Sequence, residues 1–520
     1  MIDNQEMIPN KNFLTRFWDR VTHSDHALTI AISLAFALIY GDSTVLSIAL
    51  PSIQEQYNAT NEITLWVVNS YMLVRAVLVF ASGRLSDMFS HSNTFIFGLV
   101  VLILASFGCA VSPTIGTLVF FRSLQGMGAT FAFVSGMSLI TANSPKEQVA
   151  SKIGFVLSLG LSSMAIAPVI GGIIVRLFTW QWIFYLNVII GSLAVIISAP
   201  ILNKHEKITE PKGKFDYTGF LLSAAFTAAI TLAFENSNTW GWLSGRFITV
   251  AMIGLLACIL FYFIESKKNH PIVNLKLFSL PNFLSGTLVA SFVQVSVILV
   301  IFIGVFLQSA LGYTPMMAGI LLLPMVLTGV VFANVGGYLA GKFGSKFPLV
   351  LGTGSICLGF IITILMFEHI TYYKLLPLLI FSGVGMFMIS GPVRTAMLSE
   401  TPKNQHGMTN AILTGTRSII SVIGFSITAA IIVNVQFYQT KSKLLLLIPT
   451  ISNQQIHEFM GILSHTSKGF EALSHFDISM QISIKNIILS SYINGFFWAL
   501  IFVGILEIIS FFLAVYVIKK

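Results

Sequence analysis

Fourteen apolar runs, each long enough to form a spanning helix, follow one another along the chain. Their approximate limits are 28–51, 64–83, 94–112, 115–141, 153–175, 182–202, 217–236, 247–265, 283–309, 316–340, 348–367, 375–397, 407–434 and 492–518. A helix rises 1.5 Å per residue, so about 20 apolar residues cross a hydrocarbon layer of about 30 Å. Lipid offers no partner to an open backbone, so such runs must be helical. The pattern predicts an all-α polytopic membrane protein. Hydrophobic residues make up 55 % of the 520 residues and charged ones 9 %. That excludes a soluble enzyme, a disordered chain and a secreted disulfide scaffold. Cys109, Cys258 and Cys357 each sit inside an apolar run and read as small core residues. The first run, Leu28 to Ile53, is too long for a signal peptide and reads as an anchor.

The net charge of +9 is unevenly placed. With a cytoplasmic N-terminus, 18 Lys/Arg fall on the cytoplasmic side and three in the short outer loops. This split predicts a cell (inner) membrane protein with both termini cytoplasmic. The positive charge then faces anionic lipid, not nucleic acid. Arg75, Arg122, Arg394 and Arg417 remain within or at the ends of spans.

The sequence also repeats. Ser144 to Gln148 is echoed by Thr401 to Gln405, and Gly126-Met127-Gly128 by Gly383-Val384-Gly385, both 257 residues on. Gly83, Leu85 and Phe89 are echoed by Gly337, Leu339 and Phe343, 254 residues on. Spans 1–6 and 9–14 therefore read as two copies of a six-helix unit, with spans 7 and 8 inserted between them. The expected organisation is an amphipathic tail over 1–27, an N-terminal bundle over 28–202, an inserted pair over 203–270 and a C-terminal bundle over 271–520. Phe13, Leu14, Phe17, Trp18 and Val21 give the tail its apolar stripe. A long outer loop, 435–490, is expected to carry short amphipathic helices. Its His457, His465 and His475 lack carboxylates at ligand spacing, so no metal or other cofactor is expected.

Charges inside the spans are candidates for function, because burying them in lipid is costly. Asp42 lies about 13 Å below the outer end of span 1, Arg75 about 16 Å down span 2 and Arg122 about 10 Å down span 4. The shared depth predicts that at least one arginine faces Asp42, holding it charged until protonation or substrate releases it. Glu507, inside span 14, is a second candidate proton site. Glu235, Glu265 and Glu368 lie near span ends and read as solvated. In span 5, Pro168, Gly171 and Gly172 predict a bent helix at a small-residue seam, suited to gating. There is no phosphate-binding GxxxxGK[ST] loop, no HExxH and no GxSxG, so neither ATP-driven transport nor hydrolysis is expected.

These residues carry a family resemblance over nearly the whole chain. GDSTVLSIALPSI from Gly41, Arg122 with Leu124 to Gly128, and Pro168 to Gly172 resemble the major facilitator superfamily, within it the fourteen-spanner drug:proton antiporter branch. Trp180 to Phe184 with Asn187-Val188, and Leu307 to Pro324, are similar to the same branch. The resemblance implies proton-driven efflux by alternating access of small hydrophobic or cationic compounds, with Asp42 taking the proton. It further implies gating residues Gly83 and Asp87 in the loop after span 2, and a soft, apolar cavity wall for which Phe133, Met137, Met164, Phe302, Phe306 and Met386 are candidates. A periplasmic adaptor would be a partner in a host with two membranes. A dedicated exporter of one metabolite, lipid or siderophore shares the same pattern. A sensor or scaffold that lost transport is the third reading. The loop after span 2 departs from the family's GxLaDrxGr[RK]: Ser90, His91 and Ser92 stand where a glycine and basic residues are usual. In the second copy Gly341 replaces the aspartate; in span 2 of the first copy Arg75 stands where an apolar residue is usual.

Overall fold

The computed structural model describes residues 26–59, 61–205, 215–268, 271–402, 405–449, 451–460, 462, 471, 473–474, 476–516 and 518. The amphipathic tail, His465 and His475 lie outside them. Fourteen helices carry the spans. They are α1 Ala27–Tyr57, α2 Asn61–Phe89, α3 His91–Ala110, α4 Ile115–Ala142, α5 Lys146–Leu177, α6 Gln181–His205 and α7 Tyr217–Glu235. After these come α8 Gly245–Glu265, α9 Pro281–Ser309, α10 Leu323–Phe343, α11 Lys346–Leu365, α12 Tyr372–Ser399, α13 His406–Leu447 and α14 Ile478–Tyr516. Among the described residues, thirteen helices are long and apolar enough to cross a membrane, and α5 is a fourteenth if its two arms count as one span. The arms, Gln148–Met164 and Val169–Leu177, meet at 45°. The break holds Pro168, whose missing N–H opens the helical ladder. Local chemistry sets other boundaries. Thr114 and Thr117 close a capping box ahead of α4, the Asp216 carboxylate caps α7 and the Ser244 hydroxyl caps α8. Large apolar side chains such as Leu104, Leu221 and Leu327 point outward, which suits lipid rather than water.

The repeat is visible as paired contacts. Gly126 meets the Tyr71 backbone as Gly383 meets that of Met325, and Gly128 meets Gly98 as Gly385 meets Gly352. At each glycine a Cβ would come within 2.5 Å of the neighbouring chain, so only glycine permits the approach. The two copies also clasp each other at the face where α1 begins, here the terminal face. Gly83 of α2 packs on Gly407 and Ala411 of α13, and Gly337 of α10 packs on Ser151 of α5. The first clasp carries a carboxylate. Asp87 accepts hydrogen bonds from the N–H groups of Gly407 (2.7 Å) and Met408 (2.8 Å), capping α13. The substitutions at Ser90, His91 and Ser92 therefore leave this interlock intact. His91 contributes a hydrogen bond to Ser86 (2.7 Å), and its Nε2 stands 3.9 Å from Asp87. Ser90 takes φ +129°, a conformation suited to glycine. The second clasp has Gly341 where an aspartate would stand and gains no such cap.

Two further expectations are corrected. Most of 435–490 is not loop: α13 runs 42 residues and α14 39, about 63 and 58 Å, well beyond a bilayer's hydrocarbon core. Their far ends enclose a small core around Leu444, Ile456, Phe459 and Ile484. A short helix, Asn453–Met460, lies between them. Hydropathy marks where a helix leaves lipid, not where it ends. Glu265 is buried, not solvated. Its Oε1 accepts from the Val273 N–H at 2.9 Å, beside the Asp216–Lys268 ion pair that ties α7 to α8.

Candidate functional site

Asp42 on α1 and Arg122 on α4 meet inside the N-terminal bundle, 3 % and 1 % exposed. Arg122 Nη1 donates to Asp42 Oδ2 at 2.5 Å and to Gln125 Oε1 at 2.6 Å. Its Nε donates to the Val67 carbonyl at 2.9 Å. The other carboxylate oxygen accepts from Asn187 Nδ2 at 2.7 Å and from Gln125 Nε2 at 3.4 Å. Ser106 accepts from Gln125 at 2.9 Å and fixes its amide. Arg122 and Gln125 are three residues apart, so one face of α4 supplies both. A buried charge pair is tolerable only with its remaining hydrogen-bonding groups engaged, as they are here. Gln125 and Asn187 are members of this cluster that sequence reasoning passed over, although both lie inside stretches that carried the resemblance.

Arg75 does not reach Asp42. The Tyr71 ring lies between, with the Arg122 guanidinium 4.4 Å and the Arg75 guanidinium 5.3 Å from its centroid. Arg75 instead lines a cavity of about 120 Å³ between the two bundles. Tyr40 and Phe133 come from the N-terminal bundle, and Gln294, Arg394 and Arg417 from the C-terminal one. Thr414, Arg417, Ser418 and Ser421 recur at helical spacing, so one face of α13 forms a wall. Arg394 is 1 % exposed and donates Nη1 to Asn410 Oδ1 at 2.5 Å. Arg417 donates to Gln294. Asn410 also donates to Ser138 at 3.1 Å, closing the cavity toward the terminal face.

The expected apolar wall is mostly elsewhere. Of its six candidates, Phe133 lines this cavity. Met137 and Met386 are buried in the core, and Phe306 stacks on Phe496 with centroids 4.3 Å apart. Phe302 stacks on Phe425, and the Met164 carbonyl accepts from Thr44 at 2.9 Å. Glu507 is fully buried on α14, bonded through one oxygen to Ser296 of α9, and is not part of the Asp42 cluster. In span 5, a Cβ on Gly171 would meet Val45 at 2.5 Å, and Gly41 faces Ala167 at 3.5 Å. The bent helix thus packs on α1 beside Asp42. Gly172 has no neighbour there within 4 Å.

Two clasped bundles around a central cavity are the architecture of a membrane transporter. The Major Facilitator Superfamily model matches residues 32–425, and the chain belongs to that family. It is a transporter and not an enzyme. Multidrug resistance protein Stp of Mycobacterium tuberculosis (strain ATCC 25618 / H37Rv) is 28 % identical over 406 residues, 78 % of this chain and 75 % of that protein. Putative multidrug resistance protein MdtD of Escherichia coli O1:K1 / APEC is 29 % identical over 407 residues, 77 % of this chain and 85 % of that one. Among solved structures, the proton:xylose symporter XylE superposes with a TM-score of 0.58 at 14 % identity, covering 94 % of each chain. Human MFSD10 gives 0.61 at 9 %, covering 94 % of this chain and 99 % of that one. These two likenesses speak to the fold alone.

Proposed function

We propose that this protein is a proton-coupled antiporter that exports organic compounds across the inner membrane, with both termini in the cytoplasm. The buried Asp42–Arg122 pair is the observation that carries the reading. Protonation of Asp42 removes the charge that holds Arg122 Nη1 and leaves the guanidinium to Gln125, the Val67 carbonyl and the Tyr71 face. Tyr71 also faces Arg75 in the cavity, so a change at either arginine alters the field felt by the other. The proton thus shifts the balance between two arrangements of the bundles, and the clasps at the terminal face open and close with it. Relatives named for multidrug resistance support export of foreign or toxic compounds. Hydrophobic or cationic substrates are the class their branch implies. The small arginine-lined cavity favours a second reading within transport, a dedicated exporter of a narrower set of compounds.

The test is substrate-dependent proton movement in inside-out vesicles energised by respiration, with a panel of cationic, neutral and anionic amphiphiles. At least one compound should discharge the gradient with wild type and not with Asp42→Asn. A response unchanged in Asp42→Asn removes Asp42 from the coupling role.

A further inference from the structure

We propose that the cavity between the bundles binds an organic anion, by a carboxylate or phosphate group held among Arg75, Arg394 and Arg417. This rests on reading the chain as an exporter, and it replaces the hydrophobic or cationic class with an anionic one. Three guanidinium groups line about 120 Å³, and among the described residues no carboxylate lines it with them. Among the described residues none of the three forms an ion pair, whereas Arg122 outside the cavity does. Nε and Nη2 of Arg394 are buried without a hydrogen-bond partner, as is Nε of Arg417. Stranded guanidinium donors are costly, and like charges gathered in a poorly solvated space repel. An anion satisfies both demands at once. A planar carboxylate or a phosphate matches the guanidinium fork, and arginines of both bundles can share its oxygens.

The geometry also orders the contacts. Arg75 comes from α2 of the N-terminal bundle, and Arg394 and Arg417 from α12 and α13 of the C-terminal one. An anion between them draws the bundles together and competes with the Tyr71 ring for Arg75. A cation in the same place would meet three positive charges and no acid.

The experiment measures binding to the purified full-length protein in phosphatidylcholine nanodiscs, without a proton gradient. The probes share one ring and differ in charge: benzoate, phenyl phosphate, benzamide and benzamidine. Benzoate or phenyl phosphate should bind, and benzamide and benzamidine should bind at least tenfold more weakly. Arg417→Gln should weaken anion binding at least tenfold, and Arg417→Lys should retain part of it. Arg394→Gln should act in the same direction. Should its loss of the Asn410 bond prevent folding, the half-buried Arg417 still gives the answer. Benzamidine binding as tightly as benzoate, no binding by either anion, or anion binding unchanged in Arg417→Gln would overturn the proposal. Nanodiscs containing phosphatidylglycerol separate two sources of the anion. Competition by this lipid identifies a headgroup as occupant, and its absence identifies a soluble anion; either keeps the assignment. Wild type that binds benzoate yet moves no protons would leave the anion site standing and sink the antiport reading.

Discussion

At the scale of single residues, the functional charge is divided between two neighbouring places. Asp42 is neutralised and fully bonded, while Arg75, Arg394 and Arg417 have no counter-ion among the described residues. Depth along the helices placed Asp42, Arg75 and Arg122 together, and that much was legible in the sequence. Azimuth was not: counting residues gives height in the membrane, not which side of α2 faces α1. Arg75 therefore looked equivalent to Arg122, although Tyr71 separates it from Asp42. The arginine cluster was less legible still, since its members come from three spans of two bundles. Removing one half of a buried ion pair leaves the other half stranded, which costs about 3–5 kcal/mol. Arg122→Ala should therefore lower thermal stability by about that amount, whereas Asp42→Asn with Arg122→Gln should recover most of it. A melting curve on each purified variant reads the difference. Equal stability of Arg122→Ala and wild type would mean that the pair is open to water.

At the scale of elements, glycines and a single carboxylate decide how helices meet. The spans themselves were legible because lipid tolerates little else than an apolar helix. The outer ends of α13 and α14 were not, because outside lipid a helix continues with polar residues that hydropathy reads as loop. The bend in α5 was foreseen from Pro168, and its place beside Gly41 and Val45 of α1 joins the bend to the helix that carries Asp42. Ser90 is held at φ +129° and its hydroxyl accepts from the Asn93 N–H at 3.3 Å. Replacing it with glycine relieves strain worth about 1–3 kcal/mol and loses a cap worth a few tenths. Ser90→Gly should thus raise the melting temperature, with a net gain of about 0.5–2.5 kcal/mol. A lower melting temperature would show that the serine is not strained there.

At the scale of the whole molecule, the two clasps at the terminal face make this a structure closed toward that side. Transport requires them to part. A Cβ on Gly154 of α5 would lie 3.7 Å from the Ala333 Cβ of α10, close to the separation across a disulfide, and 2.8 Å from the Ala333 carbonyl, so the two helices must give by a few tenths of an ångström to admit it. With Cys109, Cys258 and Cys357 replaced by serine or alanine, the pair Gly154→Cys and Ala333→Cys should cross-link under mild oxidant. Transport should fall to background and return on reduction. Undiminished transport in the cross-linked protein would mean that α5 and α10 need not separate.

The central claim is that protonation of Asp42 drives the exchange, and counterflow isolates that step. Purified protein is placed in liposomes loaded with an excess of unlabelled phenyl phosphate, which stays ionised and does not cross lipid unaided, and uptake of labelled phenyl phosphate is followed with and without an imposed pH gradient. Wild type should show both counterflow and gradient-driven accumulation. Asp42→Asn should keep counterflow and lose accumulation. Accumulation by Asp42→Asn at the wild-type level would contradict the account, and would turn attention to Glu507, another carboxylate buried inside a span.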